Sequence, residues 1–172
     1  MSRRNFSKAG ISQKIAIYGS TLTKEAGLSL QAIRFHGRGG QGTVVASILL
    51  AKAFFKTGYY VQTFPLFGVE RRGAPVESYL RLDKEKILVR SNIYTPDYIV
   101  VQDMKLMHSV NVTNGLKPGG SILINSRNLP DDIKPFSGFR LAFVDADHIA
   151  TRNGLGTRTH PIINTAMIGA FA

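Results

Sequence analysis

Cysteine and tryptophan are absent from this 172-residue sequence, and acidic residues are few. Without cysteine the chain cannot form a disulfide, hold an iron–sulfur cluster through thiolates, build a cysteine-containing zinc site or use a thiol nucleophile. The histidines are scattered, with none of the short spacings that metal ligands adopt. The sequence therefore predicts no metal site in this chain. The four histidines are His36, His108, His148 and His160.

Long apolar runs are also missing. No segment approaches the roughly 18 apolar residues that a membrane-spanning helix needs, and no secretory hydrophobic region is present near the N-terminus. We therefore expect a soluble, cytoplasmic protein without a membrane partner. The length suits one domain, because a chain of about 150 residues buries about 70% of the surface that its unfolded state exposes.

Positive charge is in clear excess, with 22 Lys+Arg against 11 Asp+Glu and a formal net charge of +11. A pI near 10.2 favours an anionic partner, such as a phosphorylated ligand, an acidic protein or a nucleic acid. Nucleic acid is the least favoured of these, since we find no basic stripe on a predicted helix, no aromatic RNA-binding motif and no helix-turn-helix signal.

The two ends of the chain differ from its middle. Residues 1–30 are rich in Ser, Lys, Arg and Gly and almost lack acids, which predicts a poorly ordered N-terminal extension before a domain over residues 31–172. The segment 159–172 begins an apolar helix in which the chain stops. We expect the C-terminus of the domain to be truncated.

Between these ends, apolar strands alternate with helices. A helix is predicted over Thr43–Thr57, with apolar Val44, Ile48, Ala51 and Phe55 at helical spacing and Gly58 beyond its end. The pattern predicts an α/β fold with a doubly wound, mainly parallel sheet, helices on both faces and an antiparallel hairpin insertion that pairs residues 75–82 with residues 87–90. The predicted strands cover residues 31–36, 59–65, 75–82, 96–103, 121–126 and 139–146.

A glycine-rich loop follows the first of these strands and precedes the helix. The sequence Gly37-Arg38-Gly39-Gly40-Gln41-Gly42 matches Gly-x-Gly-x-x-Gly, whose glycines let the backbone approach a phosphate while the helix N-terminus supplies N–H donors. The acid that a dinucleotide site needs about 20 residues later is missing, and no Gly-Lys-Ser/Thr follows. The loop is therefore either some other phosphate or anion site or a tight turn whose glycines serve packing.

A second unusual loop covers residues 67–75 and reads FGVERRGAP. Arg71 and Arg72 are able to clamp a phosphate or carboxylate. Alternatively, Glu70 pairs with one of these arginines at a protein interface, flanked by Phe64 and Phe67, because aromatic residues and arginine are typical interface anchors. We favour the interface.

Three polar residues are weaker candidates. Asp103 ends a buried strand and is expected to cap the helix that starts at Met104. His36 precedes the glycine loop and is expected to hydrogen-bond its backbone in a structural role. Asn125, after another buried strand, is expected to form a turn.

Two sequence segments, which contain the two unusual loops, resemble one known family in their order and spacing. IRFHGRGGQG (residues 33–42) and FPLFGVERRGAPV (residues 64–76), separated by one helix, are similar to the gamma subunit of 2-oxoacid:ferredoxin oxidoreductases, best of all the pyruvate type, and NTAMIGAF (residues 164–171) is similar to the family's final helix. The resemblance covers about residues 31–172. In the family this unit is also found as a domain of a longer chain.

The resemblance implies a complex that decarboxylates a 2-oxoacid on thiamine diphosphate with Mg²⁺, passes electrons through [4Fe-4S] clusters to ferredoxin and forms acyl-coenzyme A. Alpha, beta and delta-type subunits would hold those cofactors, since this chain has no cysteine and no thiamine-binding Gly-Asp-Gly motif. The chain would be a non-catalytic subunit that contributes no catalytic residue, contacts ferredoxin only indirectly and helps to form the coenzyme A side of the site.

Coenzyme A carries a pyrophosphate and a 3′-phosphate, which suit the glycines and arginines of the two loops as well as the function that the resemblance implies. We expect the two loops to form one face at the C-terminal edge of the sheet. The alternative is a stand-alone module that binds a phosphate, a nucleotide or coenzyme A without partners. The expected coenzyme A residues are Gly37, Arg38, Gly39, Gly40, Gln41, Gly42, Thr43, Arg71 and Arg72, and the expected partner contacts are Phe64, Phe67, Glu70 and Gly73.

Overall fold

The computed structural model describes residues 16–18, 30–66, 73–128 and 136–172. Within these ranges seven strands form a single sheet, on which three α-helices and one 3₁₀ helix pack. The strands are β1 (Ala16–Tyr18), β2 (Gln31–Arg38), β3 (Tyr60–Leu66), β4 (Pro75–Asp83), β5 (Tyr98–Val101), β6 (Ser121–Asn125) and β7 (Arg140–Val144). The α-helices are α1 (Thr43–Lys56), α2 (Ala146–Arg152) and α3 (Asn164–Phe171), and the 3₁₀ helix is Met104–His108.

The strand order in the sheet is β1-β7-β6-β5-β2-β4-β3. Strands β2, β5, β6 and β7 lie parallel to one another, and β4 lies antiparallel between β2 and β3. Since β3 is antiparallel to β4, it runs in the same direction as β2. The predicted α/β fold with a mainly parallel sheet and an antiparallel insertion is confirmed.

The pairing predicted within that insertion is wrong. Strand β4 pairs with β2 on one side and β3 on the other, whereas Ile87–Arg90 form no strand. Both edges of β4 are thus occupied, which leaves none for residues 87–90. Leu80 and Leu82 of β4 are buried under the α-helices, and Tyr79 and Arg81 are buried on the opposite face of the sheet.

All three α-helices pack on one face of the sheet. Ala46, Leu50 and Ala51 of α1 join Ile163 and Met167 beside α3 and the inward side chains of the strands in the main core. The predicted end of α1 is confirmed, because Gly58 has φ +86 directly after the Thr57 C-cap. Helix α3 confirms the predicted final helix over residues 164–171. Its start predicted at residue 159 is wrong, because Pro161 forms an antiparallel bridge with Gly156 and the helix begins at Asn164.

The side of α1 that faces the sheet is not the one that its apolar spacing indicated. Of the four apolar residues that carried the helix prediction, only Ala51 is buried, while Ile48 is 38% exposed and Phe55 is 67% exposed. Small side chains at Ala46, Ser47 and Ala51 let the helix lie close to the sheet. Leu50 packs on the same side, whereas the side chains of Ile48, Leu49 and Phe55 point away from the sheet.

The opposite face of the sheet is covered differently. Ile99, Val101, Ile122 and Phe143 lie in a second core beneath the 3₁₀ helix and the turns of residues 109–120. Helices were expected on both faces of the sheet. In the described residues, the α-helices lie on one face and the 3₁₀ helix lies on the other. No helix in these ranges has the length and apolar character to cross a membrane.

Residues 1–30, expected as an extension, contribute one described strand. Ile17 of β1 lies opposite Ala142 of β7 in an antiparallel pair, which places β1 at one edge of the sheet. Strand β3 occupies the other edge. The C-terminal ends of β2, β5, β6 and β7 share one side of the sheet, and the glycine loop lies there.

Candidate functional site

The glycine loop lies at a switch point of the sheet. Strand β2 continues through α1 to β3 on one side, whereas its parallel neighbour β5 is followed by β6 and β7 on the other. In open α/β sheets, ligands collect outside the strand ends at such a point, because the two connections leave a crevice between them. The sequence prediction that the loop joins a strand to a helix N-terminus is confirmed.

Hydrogen bonds within the loop fix its shape. The Gln41 N–H donates to the Arg38 carbonyl at 3.0 Å, and the Arg38 N–H donates to Gln41 Oε1 at 2.8 Å. Gly40 and Gly42 have φ of +94 and +74, a region that residues with a Cβ rarely adopt. Glycine is therefore required at these two positions by the turn itself.

Gly37 is required for a different reason, which is space. A Cβ at this position would lie 2.0 Å from Thr43 Oγ1 and 2.7 Å from Gln102 Oε1. Those two atoms are themselves hydrogen-bonded, with the Thr43 hydroxyl donating to Gln102 Oε1 at 2.7 Å. Gln102 is 1% exposed, and its Nε2 has no hydrogen-bond partner within the described part of the chain.

The N-terminus of α1 carries no side-chain cap. Its N-cap residue is Gly42, and no acidic residue lies in its first turn. The first N–H groups of a helix have no partner inside the helix and carry a partial positive charge, so they attract an anion. This end of α1 thus offers backbone donors to a negatively charged group.

Arg38 is held in place by two partners. Its Nε donates to Asp103 Oδ2 at 2.7 Å, and its Nη1 donates to the Gly73 carbonyl at 3.0 Å. Gln41 Nε2 also approaches Asp103 Oδ2, at 3.4 Å. The other carboxylate oxygen, Asp103 Oδ1, accepts from the Lys105 N–H at 2.9 Å, which confirms the predicted cap at the start of the 3₁₀ helix.

The two loops are in contact, as the sequence predicted. The Gly39 N–H donates to the Ala74 carbonyl at 2.9 Å, and the Gly73 N–H donates to the Gly39 carbonyl at 3.2 Å. This contact joins the glycine loop to the described end of the second loop. Phe67, Glu70, Arg71 and Arg72 lie outside the described residues.

Phe64, expected at a partner interface, packs within the chain. Its ring lies 5.3 Å from the Tyr79 ring and 5.5 Å from the Arg81 guanidinium carbon. The ring is partly buried on the sheet face opposite α1. These contacts give Phe64 a packing role and leave its contact with a partner as a prediction.

Beside the loop, Asn125 links the ends of two neighbouring strands. Its Nδ2 donates to the Gln102 carbonyl at 3.1 Å and to Asp147 Oδ2 at 3.0 Å, and its Oδ1 accepts from the Ala146 N–H at 2.9 Å. The expectation that Asn125 is a turn-former is therefore wrong, because it is the last residue of β6 and ties β5 to the start of α2. The sequence analysis did not identify Gln102 as a site residue. The signal for Gln102 and for the role of Asn125 is that each is a polar residue directly after an apolar run, that of β5 or of β6.

A buried polar cluster lies on the opposite face, just before the loop. Arg34 Nε donates to His36 Nε2 at 3.1 Å, His36 Nδ1 lies 3.5 Å from Glu77 Oε1, and the Tyr79 hydroxyl donates to Glu77 Oε2 at 2.8 Å. Arg34 also donates to the carbonyls of Val112 and Asn114. His36 therefore has side-chain partners and does not hydrogen-bond the loop backbone, as was expected, although its role is structural.

Burial sets the protonation of this cluster. It lowers the pKa of His36 to about 4, with Glu77 opposing that shift and Arg34 adding to it. Burial also lowers the pKa of Arg34 and raises the pKa of Tyr79. His36 is consequently neutral near pH 7, with a proton on Nδ1 facing Glu77 and a lone pair on Nε2 facing Arg34.

The described part of the site is suited to binding an anion. It offers backbone N–H groups, the Arg38 guanidinium and the Gln41 amide beside a single carboxylate. Among the described residues, no group of three or more His, Cys, Asp or Glu side chains could hold a metal ion. Iron–sulfur clusters do not fit this chain either, since the sequence has no cysteine.

The chain is similar to subunits of one enzyme family. A family model described as pyruvate ferredoxin/flavodoxin oxidoreductase matches residues 32–172. The pyruvate synthase subunit PorC of Methanocaldococcus jannaschii is 53% identical over 140 residues, which cover 81% of this chain and 74% of that one. The pyruvate/ketoisovalerate oxidoreductases common subunit gamma of Thermococcus kodakarensis is 50% identical over 144 residues, which cover 81% and 75%.

Solved structures agree with this result. The pyruvate oxidoreductase subunit PORC of Thermotoga maritima superposes with a TM-score of 0.68 at 35% identity, over 83% of this chain and 74% of that chain. A 2-oxoglutarate:ferredoxin oxidoreductase of Magnetococcus marinus, solved with 2-oxoglutarate, coenzyme A and succinyl-CoA bound, has a TM-score of 0.58 at 22% identity, over 72% of this chain and 21% of that chain. The second likeness concerns the fold alone.

Proposed function

The chain belongs to the pyruvate ferredoxin/flavodoxin oxidoreductase family as a gamma-type subunit, and on that premise we propose that its glycine loop forms the coenzyme A side of the active site in the assembled complex. That complex would oxidatively decarboxylate a 2-oxoacid to acyl-coenzyme A and reduce ferredoxin. This chain would pack on alpha, beta and delta-type subunits, which hold thiamine diphosphate, Mg²⁺ and the clusters. Pyruvate is the proposed 2-oxoacid, since the names of the similar PorC subunits specify it.

One observation carries the proposal: an uncapped helix N-terminus, a fixed glycine loop and Arg38 meet at the switch point of the sheet. Backbone N–H groups at such a helix end bind phosphate oxygens, and a guanidinium adds a charge-assisted donor. Coenzyme A presents three phosphate groups, two in its pyrophosphate and one at the ribose 3′ position. The chemistry of the site matches that of the ligand.

The restraint of Arg38 supports a positioning role for this loop. Asp103 and Gly73 hold the guanidinium before any ligand arrives, so less conformational entropy is lost when a phosphate binds. Asp103 also offsets part of the positive charge, which favours moderate rather than very tight binding. This chain would bind and orient coenzyme A, while the bond changes take place on groups held by the partner subunits.

The test is steady-state kinetics of the assembled complex with single substitutions in this chain. Arg38→Ala and Arg72→Ala are expected to raise the KM for coenzyme A about tenfold each, because a hydrogen bond to a charged group contributes about 1.5–3 kcal/mol. Thiamine-dependent decarboxylation, measured without coenzyme A, should stay within about twofold of wild type. Lys86→Ala, at an exposed lysine away from the loop, is the matched control. An unchanged KM in assembled Arg38→Ala complexes would contradict the proposal.

The alternative of a stand-alone binding module makes a different prediction for the isolated chain. A subunit that shares its site with partners presents only part of the contact surface when alone, so calorimetry should detect weak binding of coenzyme A or none. Tight binding to the isolated chain, abolished by Arg38→Ala, would favour the stand-alone module instead.

A further inference from the structure

Helix α1 is apolar on the side that faces away from the sheet as well as on the side that packs against it. Its exposed apolar residues are Val45 (48% exposed), Ile48 (38%), Leu49 (38%) and Phe55 (67%). A helix that is apolar all round is normally covered on all sides. We call the exposed surface the outer α1 face, formed by Val45, Ile48, Leu49, Lys52, Phe55 and Lys56.

These side chains form one continuous patch. At about 100° per residue, they fall within an arc bounded by Phe55 on one side and Leu49 on the other, with Lys52 and Lys56 in its middle. Val45, Ile48 and Leu49 are spaced i, i+3 and i+4, as in helices that dock into a groove of a partner. The buried side of α1, through Ala46 and Leu50, fixes this patch firmly to the sheet.

The charge on this surface has a single sign. Lys52 and Lys56 are the only charged residues in α1, and the sequences of the neighbouring β3 and α3 contain no charged residue. A second copy of the chain would bring an identical pair of lysines against this pair, in addition to its net charge of +11. A partner that presents acidic side chains to these lysines within an apolar patch would instead be attracted.

We propose that the outer α1 face docks onto another subunit of the same oxidoreductase complex, through an apolar patch in which Asp or Glu side chains face Lys52 and Lys56. The inference rests on the proposed function only in requiring assembly with partner subunits. Burial of Val45, Leu49 and Phe55 would supply most of the affinity. The two lysines would set the orientation and the association rate. Because the glycine loop leads into α1, docking would also fix the loop relative to that partner.

The test measures assembly of the complex. The chain is co-expressed with its alpha, beta and delta-type partners, one of which carries an affinity tag, and the molar ratio of this chain in the purified complex is determined. Leu49→Glu and the double variant Lys52→Glu/Lys56→Glu are expected to lower that ratio at least tenfold at low salt. The matched control is Leu88→Glu, at a leucine that is 75% exposed outside α1, and it should stay within about twofold of wild type.

Four results would overturn the proposal. Wild-type ratios in both α1 variants would show that the face does not dock, and an equal loss in Leu88→Glu would show that the effect is not specific. A fall of the isolated Leu49→Glu chain's thermal midpoint by more than about 3 °C would indicate a cover within the chain. A wild-type dimer in sedimentation that Leu49→Glu converts to monomers would identify a second copy as the occupant.

The same complexes separate this inference from the coenzyme A proposal. Arg38→Ala should assemble normally and show a raised KM for coenzyme A, whereas Leu49→Glu should fail to assemble. Normal assembly of Leu49→Glu with a raised KM in Arg38→Ala would contradict only the docking surface. Failed assembly of Leu49→Glu with an unchanged KM in Arg38→Ala would contradict only the coenzyme A role.

Discussion

Arg38 and Asp103, 65 residues apart in the sequence, form an ion pair across the ends of adjacent strands β2 and β5, with Nε 2.7 Å from Oδ2. Their side chains are 31% and 16% exposed, so water screens the pair only in part. Asp103 also caps the 3₁₀ helix, and Arg38 also binds Gly73. One interaction thus couples the glycine loop, the end of β5 and the second loop.

This ion pair should be measurable in a double-mutant cycle. With Arg38→Ala and Asp103→Ala, alone and together, we expect a coupling free energy of about 1 kcal/mol in urea unfolding, near the upper end for exposed pairs. The control is the pair of Lys117 and Asp97, whose side chains are 45% and 26% exposed. Its coupling should be smaller, and a coupling near zero for Arg38 with Asp103 would contradict the restraint described for the loop.

The conformation and the surroundings of Gly42 should both affect stability. Gly42→Ala places a Cβ at φ +74 and 2.8 Å from Asn164 Nδ2, whereas Gly119→Ala has a similar φ of +71 but open space. We expect Gly119→Ala to lower the free energy of unfolding by about 1 kcal/mol from backbone strain alone. Gly42→Ala should cost more, because Asn164 has to move. Equal losses in thermal or urea unfolding would show that the contact with α3 does not matter.

The burial of His36 predicts a pH dependence of stability. Its pKa is about 4 in the folded chain against 6.5 when unfolded, so below pH 6.5 the unfolded state binds a proton that the folded state does not. The contribution of His36 to the free energy of unfolding should be constant above pH 6.5. It should fall by about 3 kcal/mol as the pH is lowered from 6.5 to 4. His36→Gln, which keeps an acceptor and a donor, should remove this part of the slope.

The control for that experiment is His108→Gln, at an exposed histidine. Its unfolding free energy should follow the wild-type pH curve between pH 7 and pH 4. A His36→Gln curve that also matches wild type would mean that His36 is not kept neutral by the cluster with Arg34 and Glu77.

Removal of the buried Arg34 should be among the most damaging single changes on the face opposite α1. Arg34→Met leaves the carbonyls of Val112 and Asn114 without this donor and Glu77 without a nearby cation. The expected loss in urea unfolding is about 2–3 kcal/mol, because each buried carbonyl left without a donor costs about 1–3 kcal/mol. Arg90→Met, at an exposed arginine, should change stability by less than about 0.5 kcal/mol. Similar effects of the two substitutions would refute the structural role given to the cluster.

Local patterns predicted the elements of this fold well. The apolar runs identified β2, β5, β6 and β7, and glycine residues marked both ends of α1. The position of β4 between β2 and β3 was missed because its alternation of buried and polar residues suits any antiparallel neighbour. Nearness in sequence then favoured residues 87–90, although the long-range pairings with β2 and β3 leave no free edge for them.

The candidate site was also predicted only in part, because contacts between distant segments do not follow from local sequence patterns. The loop glycines are visible in the sequence because their conformation depends on residue type alone. The contacts of Arg38 with Asp103 and of Thr43 with Gln102 join distant segments, and only the folded sheet brings them together. Both sides of helix α1 are apolar, so its sequence pattern does not indicate which side packs on the sheet.

The most direct test of the central claim is hydrogen exchange of the glycine loop in the assembled complex, with and without saturating coenzyme A. Peptides that cover residues 37–46 should exchange more slowly when coenzyme A is present, because the backbone N–H groups at the start of α1 would donate to its phosphates. Peptides that cover residues 84–92 serve as the internal control and should not change. Unchanged exchange over residues 37–46 in a complex shown by turnover to be saturated with coenzyme A would contradict the account.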